Sequence, residues 1–198
     1  MSSIILTGDT SGTVQIAAPA VAGTSVIILP VGSGTAAVQG VSTNIVSGTA
    51  LSTNGLTSIA FTGIPSWAKR VTLMFNAVTL GGTAIPIVQL GVGSTPTTSG
   101  YVGSTTQLSA SSSGTQSVTT GVGFYYTVAT QVISGHMIFT NVSGNIWIGS
   151  GTSAAGAAGL ASVGAGAVTL GGTLGMLQLT SVGTANTFGT GSVNILYE

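Results

Sequence analysis

The chain has 198 residues, 43% of them hydrophobic, with two Lys+Arg against two Asp+Glu, so its formal net charge is zero. Charged residues make up 2% of the chain, against roughly 25% in an ordinary soluble domain. Two cations cannot build the basic face that nucleic-acid phosphates require or an electrostatic membrane-surface patch. There is no cysteine for a disulfide framework or a thiolate metal site.

In chain order, MSSIILTGDTSG at 1–12 lacks the basic region and the apolar length of a signal peptide. Short β-prone runs follow: SIIL at 3–6, TVQIA at 13–17 and TSVIIL at 24–29, separated by GDTSG, PAVAG and PVGSG. No aromatic residue precedes Phe61. A segment without large side chains is poorly equipped to build its own core. Residues 1–50 are therefore expected to form an extended N-terminal β arm, stabilised by pairing with another chain, with a linker around 39–55.

Residues 51–198 read as an all-β domain, because short apolar runs alternate with polar ones between Gly/Ser/Thr clusters. Expected strands lie at 58–64, 70–78, 84–90, 145–149, 173–182 and 191–198, with 123–129 and 131–142 as a strand pair. In RVTLMFNAV, Val71, Leu73, Phe75 and Ala77 should face the core and Arg70, Thr72, Met74 and Asn76 the other side. Pro86 cannot donate to a ladder, so its strand should lie at an edge or carry a bulge. The segment SAAGAAGLASVGAGAVTL at 153–170 has small residues spaced as in transmembrane helix contacts. It lacks large apolar residues, flanking cations and an aromatic belt, and a long loop is the expectation. About eight strands at this spacing suit a sandwich or jelly roll.

The chemistry-bearing residues are few. Lys69 and Arg70 are the two cations, side by side in SWAKRVTLMF, and they are candidate partner contacts. The two acids are Asp9 and Glu198. They cannot readily serve as paired glycosidase carboxylates, one lying in the arm and the other in the final strand. Asp9 suits an Asx turn in GDTSG. His136 has no second ligand beside it, so a metal would require several copies meeting on an axis. The plainer reading is a side chain facing solvent or a neighbour. With no G-x-S-x-G elbow, a Ser-His-Asp site finds no support. GVGS at 91–94 and GVGF at 121–124 lack a phosphate loop's lysine and read as turns. Trp67, Tyr101 and Trp147 are candidate glycan-stacking residues, weighed against burial in the core. An enzyme, a cofactor and a metal site are not expected.

Two parts of the chain resemble proteins of tailed bacteriophages. TGDTSGTVQIAAPAVAGTSVIILP at 7–30 is similar to an N-terminal segment recurrent in their structural proteins. The remainder resembles a virion domain through IPSWAKRVTLMFN at 64–76, NIWIGSG at 145–151 and GSVNILYE at 191–198. The resemblance implies an all-β, trimeric virion protein with no catalytic residues, located in a fibre or on the capsid. The resulting expectation is a jelly-roll-like β-sandwich with an extended N-terminal β arm. Its role would be to decorate the head shell as a homotrimeric cement protein bound to the major capsid protein or other virion proteins. The alternative is a tail-fibre or head-fibre component binding a host surface glycan. A membrane-embedded β-barrel is a third reading, weakened by the lack of aromatic girdles and charged loops.

Overall fold

A computed structural model describes residues 3–7, 13–17, 45–110 and 113–198. The chain divides into two compact units, 1–39 and 40–198. In the first, β1 (Ser3–Thr7) and β2 (Thr13–Ala17) pair antiparallel with each other, Ser3 opposite Ala17 and Thr7 opposite Thr13. The run at 24–29 and Asp9 lie outside the described residues.

The second unit holds two antiparallel sheets, consistent with a β-sandwich. Its elements are β3 (Val46–Ser47), β4 (Leu51–Ser52), β5 (Ile59–Thr62), β6 (Arg70–Thr79), β7 (Pro86–Val92) and β8 (Thr95–Pro96), then β9 (Val102–Leu108), β10 (Ser113–Val118) and β11 (Val122–Gly123). They continue with β12 (Val132–Ser143), β13 (Ile146–Ala155), β14 (Leu160–Thr169), β15 (Leu174–Ser181) and β16 (Ser192–Tyr197). Among the described residues the large sheet runs β10-β9-β14-β13-β12-β6-β16-β3, with β4 also on β16, and the small sheet runs β11-β7-β15-β5, with β8 on β7. The β3 and β4 stretches, expected as linker, belong to the folded body because they pair with β16.

The core forms between the sheets, where strand alternation turns one face of each inward. Val71, Leu73 and Phe75 from β6, Met137 and Phe139 from β12, Trp147 from β13 and Ile195 from β16 meet Val88, Leu90, Leu177 and Leu179 from the small sheet. Phe124 tilts against Phe75 with ring centroids 5.2 Å apart. A smaller cluster of Ile85, Ile87 and Val118 lies apart from this core, with Tyr125 and Val182 packed against it.

Several expectations are corrected. Ala77 does not join the core row of β6. It takes a left-handed φ of 51° at a register shift between Ile133 and Gly135 of the partner strand. This bulge exposes Ala77 and turns Val78 inward instead. The strand of Pro86 is not at an edge, and the register shift its ladder with β15 does carry, between Leu174 and Met176, is at the end away from Pro86. Pro86 occupies the first position of β7, which has β11 on one side and β15 on the other, and a strand's first residue tolerates a missing donor.

The run 123–129 is not a strand paired with 131–142. After β11 it leaves the ladder, and Phe124 N–H donates to Pro86 O at 3.0 Å and Tyr125 N–H to Ser162 Oγ at 2.8 Å. The segment 153–170 is no loop: it is the end of β13, one 3-10 turn and β14, paired residue for residue from Ala155 opposite Leu160 to Ile146 opposite Thr169. Among the described residues no helix is long and apolar enough to cross a membrane.

Small residues explain why this hairpin can sit in the sheet. A Cβ on Gly164 would come within 1.9 Å of the Gly123 carbonyl oxygen, so β14 and β11 approach closely only because position 164 has no side chain.

Candidate functional site

The paired cations sit where β6 begins. Ala68 N–H closes a turn onto Pro65 O at 3.0 Å, and the chain then enters the sheet between β12 and β16. Lys69 and Arg70 N–H both donate to Glu198 O, at 2.7 and 2.9 Å, and Glu198 N–H returns a bond to Arg70 O at 3.0 Å. On the outer face the Arg70 guanidinium, through Nε and Nη2, pairs with Glu198 Oε1. The sequence separation of 128 residues concealed this pairing. It follows from setting RVTLMF antiparallel to NILYE with Val71 opposite Tyr197, a register that brings the final acid to Arg70.

Arg70 therefore spends its charge inside the chain. Lys69 is exposed and has no ion pair among the described residues. It stands at the rim of a cleft of about 260 Å³ shared with Ser66, Asn145, Thr173 and Trp147.

The three stacking candidates are not brought together. Tyr101 is 2% and Trp147 3% exposed, both within the main core, so neither has a ring face open to a sugar. Trp67 is half-buried and leans on Tyr197, ring centroids 5.6 Å apart at 52°. The Tyr101 hydroxyl accepts a bond from Leu90 N–H at 2.8 Å and donates to Leu90 O at 3.3 Å. Burial pushes its pKa up to about 12, opposed in part by the Leu90 bond. Burial likewise raises that of Tyr126, whose hydroxyl meets Ser153 Oγ at 3.1 Å.

His136 is exposed on β12. Among the described residues no three His, Cys, Asp or Glu side chains gather as metal ligands. On the outer side of the small sheet, Gln178 Nε2 donates to Gln89 Oε1 at 2.7 Å, and Gln89 Nε2 to Thr120 O at 2.7 Å. These amides, with Ser58, Thr98 and Thr180, line a cleft of about 430 Å³ without a charged or aromatic residue.

The most extensive feature is the outer face of the large sheet, which the sequence reading did not single out. Register places Val102, Ala167, Ile148, Thr140 and Arg70 in one cross-strand row. The next row is Ser104, Ala165, Ser150, Ile138, Thr72 and Leu196. The third is Thr106, Val163, Thr152, His136, Met74 and Asn194. Val102 is 79% and Ile148 49% exposed, and Val163 and Leu108 are also open. The Arg70–Glu198 pair lies at one margin; apart from His136, Met74 and Asn194 in the third row, the rest of these rows is aliphatic, small or hydroxylated.

Strands about 4.8 Å apart and roughly 25–30 Å long make this a surface on the order of 700 Å² in projection. A mixed apolar and hydroxyl face of that extent is comparable to the area that one partner contributes to a stable interface. The signal was present in the alternation of IWIGSGTSA, whose apolar and hydroxyl residues occupy both faces.

Comparison with protein-family models, with curated proteins and with solved structures finds no match.

Proposed function

We propose that this chain is a structural protein of a tailed-bacteriophage particle, a homotrimer that decorates the head shell and contacts the major capsid protein. The observation that carries this reading is the wide, nearly uncharged sheet face, which suits assembly rather than turnover. Chemistry at pH 7 draws on groups with shifted proton affinity collected in a cleft. Here the clefts hold amides, hydroxyls and a single lysine. Lys69, exposed and unpaired within the described body, is the group we assign to an acidic side chain of a capsid partner; Arg70 is committed to Glu198.

The strand order supports a jelly-roll connectivity. The small sheet, β5-β15-β7-β11, takes the chain's strands in the order of one jelly-roll sheet. The large sheet has β6 separated from β9 and β10 by the β12-β13-β14 meander. This is the order of the second sheet with its penultimate strand tripled, and β16 is added outside β6.

The second reading is a fibre component that binds a host glycan. It is favoured by the amide- and hydroxyl-lined cleft at Gln89 and Gln178, since Tyr101 and Trp147 are buried and the half-buried Trp67 leans on Tyr197. Copy number and position on purified particles test the two. Many copies over the head support decoration, a few at the tail support the fibre, and none on the particle removes both.

A further inference from the structure

We infer that the outer face of the large sheet is the surface by which one copy of this chain packs on another. Four observations converge on that occupant. The first is size: a face on the order of 700 Å² matches the roughly 800 Å² that each partner contributes to a stable interface.

The second is charge. Burying an ordinary protein surface here would strip water from its Lys, Arg, Asp and Glu side chains and give them no partner. On this face Arg70 and Glu198 already neutralise each other, and the three rows add one further titratable side chain, His136. A chain with 2% charged residues is a partner that brings almost no ions to desolvate.

The third is relief. Ile138, Ile148 and Val102 stand around Ala165 and Ala167, and between them lies a hollow of about 430 Å³. Branched side chains beside a hollow of that size offer both the projection and the recess that interlocking sheet faces need. The fourth is that every large residue involved points outward from a strand whose inward neighbours already fill the core, such as Trp147 beside Ile148. The face is therefore not required for the fold of one protomer.

The inference rests on the assembly reading above and names its surface. It is tested without any phage particle, by light-scattering mass of the purified full chain across a dilution series. The parent chain should be multimeric. Ile148→Lys and Ala165→Arg should each lose the multimer while keeping the parental far-UV circular dichroism and cooperative melt. Val128→Lys, an equally bulky charge on an exposed loop position outside the face, should keep it.

If the charged variants misfold, a cysteine in this cysteine-free chain provides a second measurement. Ser150→Cys should react slowly with a thiol reagent in the multimer and fast after dilution, whereas Asn54→Cys reacts fast in both. A parent chain monomeric at every concentration overturns the inference. So do charged variants of parental mass, or a thiol at position 150 that stays protected in the monomer. Protection that appears only on adding capsid shells also overturns it, in favour of a shell partner. A chain that multimerises through this face but is absent from particles overturns the virion reading alone.

Discussion

The Tyr101 hydroxyl fills the place of a missing ladder partner, and removing it should weaken the fold in a pH-dependent way. Leu90 lies opposite Leu177 in β15, and its N–H finds its partner in the phenol oxygen at 2.8 Å. Tyr101→Phe retains the ring and the core packing but leaves that buried N–H without an acceptor, at a cost of about 1–3 kcal/mol. Leu90 O is not orphaned, because Thr97 N–H also donates to it at 2.8 Å.

The same phenol links stability to alkali. Its pKa is raised from 10.0 to about 12. Between those values the unfolded tyrosine gives up its proton while the native one holds it. The native state then binds more protons, and stability falls as pH rises from about 10 to about 12. At 1.36 kcal/mol per pH unit, the parent loses up to about 2–3 kcal/mol across that window. The Phe variant lacks this contribution and retains the smaller slope due to Tyr126, whose pKa is also raised by burial. Urea unfolding followed by circular dichroism should show the variant less stable at pH 7 and the two curves converging toward pH 12. Equal midpoints at pH 7, or equal losses between pH 10 and 11.5, would refute the reasoning.

Other outcomes follow from single contacts. Gly164→Ala places a methyl against the Gly123 carbonyl and should cost about 3 kcal/mol, read as a lowered unfolding midpoint. Gln131 carries a buried side-chain oxygen without a hydrogen-bond partner, so Gln131→Met, of similar volume, should leave the melting temperature equal or raise it. Arg70→Ala breaks an ion pair that is open to solvent and should cost less than about 1 kcal/mol, with the Glu198 backbone bonds retained. Lys69→Ala should leave the circular dichroism and the melt unchanged and weaken attachment to particles in a sedimentation assay.

Strands with a large residue on every second position were legible from the sequence. RVTLMF, NIWIG and GSVNILY are strands in which Val71, Phe75, Trp147, Val193 and Ile195 supply buried apolar residues at every second position, alternating with more exposed ones. The hairpin of β9 and β10 was not legible. VGSTTQL and SGTQSV carry Ser, Thr and Gln on both faces, and their order comes from pairing with β14 and from hydroxyl bonds such as Thr106 Oγ1 to Gly114 O at 2.9 Å. β14 was hidden for a related reason: Gly164 and Gly166 lie close to neighbouring backbone and small alanines occupy its outer face, which leaves no strong hydrophobic period to read.

GFYYTVA erred in the opposite direction. Its aromatic residues have high β propensity, yet Phe124 and Tyr126 are both buried while the backbone between them bonds outside any ladder, Tyr125 N–H to the Ser162 hydroxyl. Of the candidate site, the cations were visible but their unequal fates were not. Those depended on which end of β16 meets β6.

The closed Arg70–Glu198 pair has a consequence for how this protein responds to its surroundings. With that pair internally balanced, the folded body presents Lys69 as its remaining fixed charge among the described residues. Salt acts on proteins chiefly by screening charges that face one another across water, and here there is little to screen. Contacts between copies through the large-sheet face should therefore respond little to the screening of charge, in contrast to the Lys69 contact, and change instead with temperature through the hydration of that aliphatic surface.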